Sequence, residues 1–410
     1  MSSDHPVLAG LEAELGWIRD TYTDLHRHPE LSLEEHRTSE LVAEKLTSFG
    51  YEVTRMGGTG VVGVLANGAG PTVLARADMD ALPVTEATGL AYASEVAGVM
   101  HACGHDVHVS TLLGAAKLMA DRRGAWSGTY IALFQPAEEI GAGSQAMVDD
   151  GLVTKVPRPD VALSQHVMPI AAGTLSTTAG PVLSAGDSLK ITVYGKGAHG
   201  SMPHMAVDPV VLAASIVLRL QTIVSRETKP GDFAVVTVGA LNAGTKSNII
   251  PDRATLLLNI RTYDKQVRSA LLAAIERIVR GECVTAGSPQ EPEFEFYDQS
   301  PLTSNDAAVT DKVTAAFVRH FDAGAVFRAT PQTASEDFSR IPDAFGVPYT
   351  FWFLGGADPE TYRAAVANGT VAQDIPGNHS PFFAPVIDPT LSLGVQTQII
   401  AALSYLSQDA

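Results

Sequence analysis

Cysteine is nearly absent from this chain: Cys103 and Cys283 are the two in 410 residues. Two thiols cannot build the disulfide framework of a small secreted domain. Order must come from a buried core, which a 45% hydrophobic chain of this length can supply. Basic charge is also scarce. Lys and Arg total 28 against 45 Asp and Glu, a formal charge of −17, and no polybasic cluster interrupts that excess. Nucleic acid and anionic membrane are therefore excluded as expected partners. Long apolar runs are missing too: no stretch approaches the ~18 residues of a spanning helix. The opening "MSSDHPVLAGLEAELGWIRD" has no basic segment followed by an apolar one. A soluble, cytoplasmic protein is expected. There is no internal repeat or low-complexity tract, and the length exceeds what one core usually fills, so two domains are expected.

What is present is an alternation of short β-rich runs with helical stretches. "VVGVLA", "TVLARADMD", "TYIALFQP" and "VALSQHV" are apolar segments interleaved with "HVSTLLGAAKLMADRR" and "GSQAMVDDG". That pattern predicts an α/β fold with a mostly parallel central sheet covered on both faces. In such sheets ligands collect beyond the carboxyl ends of the strands. Asp78, Asp80, Gln135, Glu138, Glu139 and His166 all fall at or just after the ends of apolar runs. From Ala185 the pattern changes to strand, helix, two strands, helix and strand, ending near Tyr297 in "EFEFYD". This βαββαβ order is that of a ferredoxin-like unit. The chain is thus read as a discontinuous first domain, 1–184 with 298–410, interrupted by an inserted second domain, 185–297.

The polar residues matter as a set. "HACGHD" supplies Cys103 and His105, "QPAEE" the pair Glu138 and Glu139, "SQHVMP" His166, and "PGNHSPFF" His379. Sulfur, imidazole and carboxylate are ligands for zinc, and carboxylates also suit manganese. Five such ligands, Cys103, His105, Glu139, His166 and His379, fit two ions better than one tetrahedral ion. An adjacent carboxylate pair allows one member to bind metal while its neighbour carries a proton from water to a leaving nitrogen. Two blander readings compete: Glu138 and Glu139 as the acidic start of a helix, and Cys103 with a histidine as a nucleophilic pair. The latter leaves the two glutamates and the distant histidines without a role.

Read in order, "HRHPELSLEE", "RADMDALPV", "HACGHDVH", "FQPAEE", "GKGAHGSMPH", "SNIIP", "ASEDF" and "NHSPFF" resemble the amidohydrolase branch of the M20 metallopeptidase family, from about His26 to Phe383. That group contains hippurate hydrolases, N-acyl-amino-acid aminoacylases and auxin-conjugate hydrolases. The resemblance implies a zinc-peptidase-like catalytic domain and an inserted lid that mediates dimerisation, in a homodimer or a higher oligomer. It implies two divalent ions per subunit, zinc or manganese with cobalt or nickel as alternatives, held by Cys103, His105, Glu139, His166 and His379, with Cys103 as a bridge. It makes Glu138 the general base and acid. His199 resembles the histidine that reaches across the dimer to polarise the scissile carbonyl, and Asn248 with Arg261 resembles the pair that holds a free α-carboxylate. Arg76 departs from the wider family, which has histidine there, and this leaves Asp78 an expected role behind the ligands, orienting them. The expected substrate is an N-acyl amino acid. A dipeptidase or carboxypeptidase, or a non-catalytic binder of amino-acid conjugates, is the alternative.

Overall fold

The computed structural model describes residues 5–406. Contacts divide the chain into two compact units, one reaching to Val182 and resuming over Ser304–Thr330 and from Asp337, the other Leu183–Thr303 with Pro331–Glu336. The expected boundary at 297/298 needs correction. The strand Glu293–Ser300 stays paired with Ala185–Tyr194 as far as Ser300↔Gly186, past the end of the apolar pattern that the sequence offered. The return segment Pro331–Glu336 also belongs to the second unit, because Ser184 donates its N–H to the Ala334 carbonyl at 2.8 Å.

The first unit is built on an eight-stranded sheet in the order Glu52–Met56, Gly60–Asn67, Gly128–Gln135, Thr72–Asp78, Val161–Ala171, Tyr349–Ala357, Leu175–Thr177, Val326–Arg328. Its four central strands, Gly128–Gln135 to Tyr349–Ala357, are mutually parallel. Gly60–Asn67 and the hairpin it forms with Glu52–Met56 run antiparallel to their neighbours. Buried on both faces, the central strands read as continuous apolar runs rather than alternating ones. Helices Leu11–Arg27, His105–Asp121 and Ile387–Leu406 pack against one another, the last two also against central strands. They bury Ile18, Tyr22, Leu112, Leu113, Val395 and Ile399 in one core with Val73, Ala75 and Leu163 of the sheet.

Register sets the height of the chemistry. Asp78 pairs with Gln135, and Arg76 with Ser164, so His166 sits two residues further along, level with Asp78. The polar residues that end these strands therefore line the carboxyl edge of the parallel sheet.

The second unit has an antiparallel four-stranded sheet in the order Ala234–Ala243, Arg253–Thr262, Ala185–Tyr194, Glu293–Ser300. With helices Pro209–Thr222 and Lys265–Ala286 between its strands, this is a ferredoxin-like arrangement. Both helices start as their sequences dictate. Asp208 accepts the Val210 N–H ahead of Pro209, and Asp264 accepts those of Gln266 and Val267. The expectation of no membrane-length apolar stretch needs one correction. Pro209–Glu227, the first helix with its continuing π turn, is 19 residues long with mean hydropathy 1.4 and is long and apolar enough by length and composition. The charges that obscured it, Arg219 and Arg226, lie beside Leu212, Ala213, Ile216, Leu220 and Ile223, which are buried in the second unit's own core.

Candidate metal centre

Three loops and the strand Val161–Ala171 of the first unit converge on one cluster. Gly104, at φ +85°, turns the chain between Cys103 and the helix that opens at His105. A side chain there is excluded, since its Cβ would lie 2.4 Å from Val167 Cγ1. His379, at φ +69°, donates its backbone N–H to the Ala102 carbonyl at 2.7 Å, locking the C-terminal loop to the "HACGHD" loop. Asn378 adds bonds from Nδ2 to the carbonyls of Cys103 and Val167, both at 3.2 Å. The two loops and the strand carrying His166 are thereby tied together by backbone and amide bonds. Glu138 and Glu139 do not begin a helix: the next one starts at Gly143, and both glutamates occupy the turn before it.

The five expected ligands form two overlapping groups. Cys103, His105 and His166 make one, Cys103, Glu139 and His379 the other, the ligand atoms of each lying within 4.8 Å of one another. Cys103 is common to both. Its Sγ is 3.4 Å from His166 Nε2, and His379 Nε2 is 3.3 Å from Glu139 Oε2. His105 Nε2 lies 3.8 Å from Glu139 Oε1 and 4.0 Å from Glu138 Oε2.

Proton positions follow from the fixed partners. His166 Nδ1 faces the Val167 carbonyl at 2.8 Å and must donate to it, which leaves Nε2 with its lone pair toward Cys103. Burial, reinforced by His108, pushes the His166 pKa well below the usual range, so the ring is neutral and able to ligate. His105 Nε2 and Glu139 Oε1 are buried without a hydrogen-bond partner. Buried polar atoms without partners are costly, and a divalent cation would satisfy both. The donor set of thiolate, three imidazoles and a carboxylate fits two such ions. Without a cation the thiol of Cys103, and then Glu139, draw the His379 pKa up to about 10, while burial raises that of Cys103.

The neighbouring histidines have other work. His108 accepts the Val167 N–H on Nε2 at 2.8 Å and donates Nδ1–H to Asp78, so neither nitrogen is free for an ion. Asp78 itself is held by Arg76 at 2.7 Å. Burial would raise its pKa, but Arg76, with His105 and His108, overrides this and keeps it well below the usual carboxylate range. The carboxylate set against His105 Nδ1 is Asp80, at 3.3 Å. Asp80 also accepts the Ser32 hydroxyl at 2.7 Å and the Glu139 N–H at 3.0 Å, linking two of the candidate ligands, His105 and Glu139. Sequence reasoning saw Asp80 at a strand end but gave the orienting role to Asp78. Arg76 continues to Gln135 at 3.0 Å, and Asp337 accepts from Gln135 Nε2 at 2.6 Å and from the Ser144 hydroxyl at 2.7 Å. Asp337 comes from "ASEDF", whose role no spacing in the sequence revealed.

In the second unit, His199 and Asn248 lie on one small ladder. His199 pairs with Ile249, and Gly200 donates to the Asn248 carbonyl at 2.8 Å. Both line a cavity of ≈ 700 Å³ that also takes in Gly244, Thr245 and Arg253. The Ser201 N–H donates to His199 Nδ1 at 3.2 Å, which places the neutral ring's proton on Nε2. Arg261 does not join them. It lies eight residues beyond Arg253 on the strand Arg253–Thr262, roughly 26 Å at ~3.3 Å per residue. There it donates to Ser335 Oγ and, at 2.8 Å, to Asn259 Oδ1. Asn248 shares its cavity with Arg253, at the start of that strand, while Arg261 lies near its other end, so the cavity that holds Asn248 does not take in Arg261.

A thiolate, imidazoles and paired carboxylates at the carboxyl edge of a parallel sheet define a metallohydrolase. The model of peptidase family M20/M25/M40 matches residues 74–372, and the chain belongs to this family. It is 39% identical to thermostable carboxypeptidase 1 of Saccharolobus solfataricus over 95% of both chains. Hippurate hydrolase of Campylobacter jejuni is 38% identical over 84% of this chain and 89% of its own. Among solved structures, the YXEP protein of Bacillus subtilis, a dinuclear metal-binding peptidase of the M20 family, superposes with a TM-score of 0.78 at 28% identity. The match covers 96% of this chain and 99% of that one.

Proposed function

We propose that this hydrolase cleaves the amide of N-acyl amino acids, giving a carboxylic acid and a free amino acid. The observation that carries the reading is the pair of ligand groups sharing Cys103, with Glu138 4.0 Å from His105 Nε2 beside them. Two divalent ions held by Cys103, His105, Glu139, His166 and His379 would supply an acidified water and a polarised carbonyl oxygen. Zinc or manganese is the proposed pair, the thiolate favouring the softer ion. Glu138 takes a proton from the attacking water as its oxygen bonds to the carbonyl carbon. It then gives that proton to the nitrogen as the C–N bond breaks. His199 donates its Nε2–H to the carbonyl oxygen as negative charge builds there. Arg261 binds the α-carboxylate through its planar fork. Since His199 and Asn248 stand apart from Arg261 on one chain, we read the working form as a homodimer in which His199 and Asn248 come from the partner; its setting is read as cytoplasmic.

The test is release of amino acid from N-acetyl, N-benzoyl and longer N-acyl amino acids, using chelator-stripped protein with and without zinc or manganese. Metal-dependent release is expected. Glu138→Ala should keep its metal and lose turnover by about 10²–10⁴-fold; near-normal turnover of the metal-loaded variant would sink the assignment. The 39% identity to a carboxypeptidase supports a second reading. Preference for a peptide with a free amine over its acylated counterpart would favour it.

A further inference from the structure

Only three non-glycine residues among those described have positive φ: Leu33 at 68°, Ala137 at 48° and His379 at 69°. Residues with a Cβ adopt this region at a cost of ~1–2 kcal/mol and keep it where surrounding bonds impose it. His379 is a ligand, and Ala137 immediately precedes Glu138 and Glu139. The bonds that impose Ala137's conformation come from a distant part of the chain. Glu35, completely buried, accepts the Ala137 N–H on Oε1 at 2.8 Å, and the same oxygen accepts the Leu33 N–H at 3.0 Å. Its Oε2 accepts the Thr59 hydroxyl.

On the opposite side, the Ala137 carbonyl accepts the N–H groups of Ala142 at 3.2 Å and Gly143 at 3.1 Å. Gly143 must be glycine there, since a Cβ would lie 1.6 Å from the Pro136 carbonyl oxygen. The turn that carries both glutamates is thus clamped from two sides. One clamp is local; the other is a carboxylate 102 residues away in sequence. A buried carboxylate is expensive unless fully bonded; Glu35 is satisfied by Leu33 and Thr59 on its own side, and its remaining bond reaches the turn that carries Glu138 and Glu139.

We propose that Glu35 is a positioning residue: by holding the Ala137 N–H it fixes the left-handed turn that points Glu138 at the reacting centre and Glu139 at the metal ligands. This rests on the reading of Glu138 as base and Glu139 as ligand. Relaxation of Ala137 to negative φ would redirect the chain at the next residue and swing both carboxylates, and misplacement by ~1 Å is enough to cost ~10²-fold in rate.

Four variants, assayed with an N-acyl amino acid and by chelator competition for zinc, test it. Glu35→Ala should lower kcat by ~10²-fold with KM nearly unchanged, and weaken zinc binding through Glu139. Glu35→Gln keeps an oxygen for both N–H groups and an amide to donate to Thr59, and should stay close to the parent in both readouts. Ala137→Gly placed on Glu35→Ala should recover part of the loss, because glycine takes positive φ without penalty. Should Glu35→Ala fail to fold, Ala137→Val serves instead, keeping Glu35 while penalising positive φ. It should reproduce the fall in kcat. Parent-like kcat and zinc affinity in Glu35→Ala, or in Ala137→Val, overturn the proposal, as does a Glu35→Gln variant as impaired as Glu35→Ala. If Glu138→Ala is inactive while these variants are normal, this inference alone fails. If Glu138→Ala turns over normally, the underlying reading fails with it.

Discussion

The two polar regions of this molecule are built in opposite ways. Around Cys103 and His105 the supporting groups brace one another: Asp80 faces His105, Asn378 ties the Cys103 loop to Val167, Arg76 holds Asp78, and Glu35 clamps the glutamate turn. Around His199 and Asn248 the residues sit on a two-residue ladder at the rim of an open cavity, with Arg261 far along the strand. The first region is preorganised for chemistry, with fixed dipoles and charges that need little rearrangement at the moment of reaction. The second has no such bracing among the described residues: on the proposed reading its residues act only when a substrate meets them. The difference predicts that mutations in the second region act on turnover through the substrate alone, whereas those in the first also act through the metal.

The largest effect that would sharpen this contrast is at His199. His199→Ala should lower kcat by about 10²–10³-fold, the range for loss of one donor to a developing oxyanion, while zinc affinity and unfolding midpoint stay at parent values. Mixed with Glu138→Ala protomers under conditions of subunit exchange, it should regain activity, because some dimers then hold one site with both residues intact. Proven exchange without recovery would remove the partner from the reading and make His199 a local residue.

Asp80→Asn should do the reverse. Loss of the carboxylate against His105 Nδ1 should weaken metal binding about 10–100-fold, the usual penalty for removing a ligand's outer partner, with activity restored by excess metal. Unchanged affinity would mean that Asp78, not Asp80, orients His105, as the sequence alone suggested.

Much of this was legible beforehand because it is written locally. Continuous apolar runs gave the central parallel strands, the βαββαβ order gave the second unit, and "HACGHD" and "QPAEE" offered candidate ligands by residue type, which the fold brings within 4.8 Å of one another in overlapping groups. The hidden part is written across long separations. Nothing near Glu35 in "HRHPELSLEE" says that its carboxylate meets an amide at Ala137, and nothing near Asp337 indicates Gln135 or Ser144. The division of labour between Asp78 and Asp80 was hidden for a related reason: residues two apart on an extended chain look equivalent in sequence, and only the fold sets Asp80 against His105 Nδ1 and Asp78 against His108 and Arg76. The short strands Leu175–Thr177 and Val326–Arg328 carry too few residues for any periodicity to show.

The smallest effect on turnover, and the one that separates scaffold from site within the first region, is at His26. This fully buried imidazole lies between Asp106 at 2.6 Å and Glu86 at 3.3 Å. Burial would lower its pKa, yet the bonds to Asp106 and Glu86 prevail and raise it from 6.5 to about 9. The folded state therefore binds the proton more tightly than the unfolded chain, so the stabilisation is complete below about pH 6.5 and is lost as the pH rises through about 9. A shift of this size corresponds to roughly 3 kcal/mol. Urea unfolding of the parent and of His26→Gln should differ most near pH 6 and converge above pH 9, with kcat of the metal-loaded variant at neutral pH close to the parent value. A stability gap that stays constant from pH 6 to 10 would show that His26 acts by packing, with its charge contributing nothing. A large fall in kcat instead would extend the preorganised network from the metal ligands back to the first helix, and erase the line drawn here between what holds the site and what holds the fold.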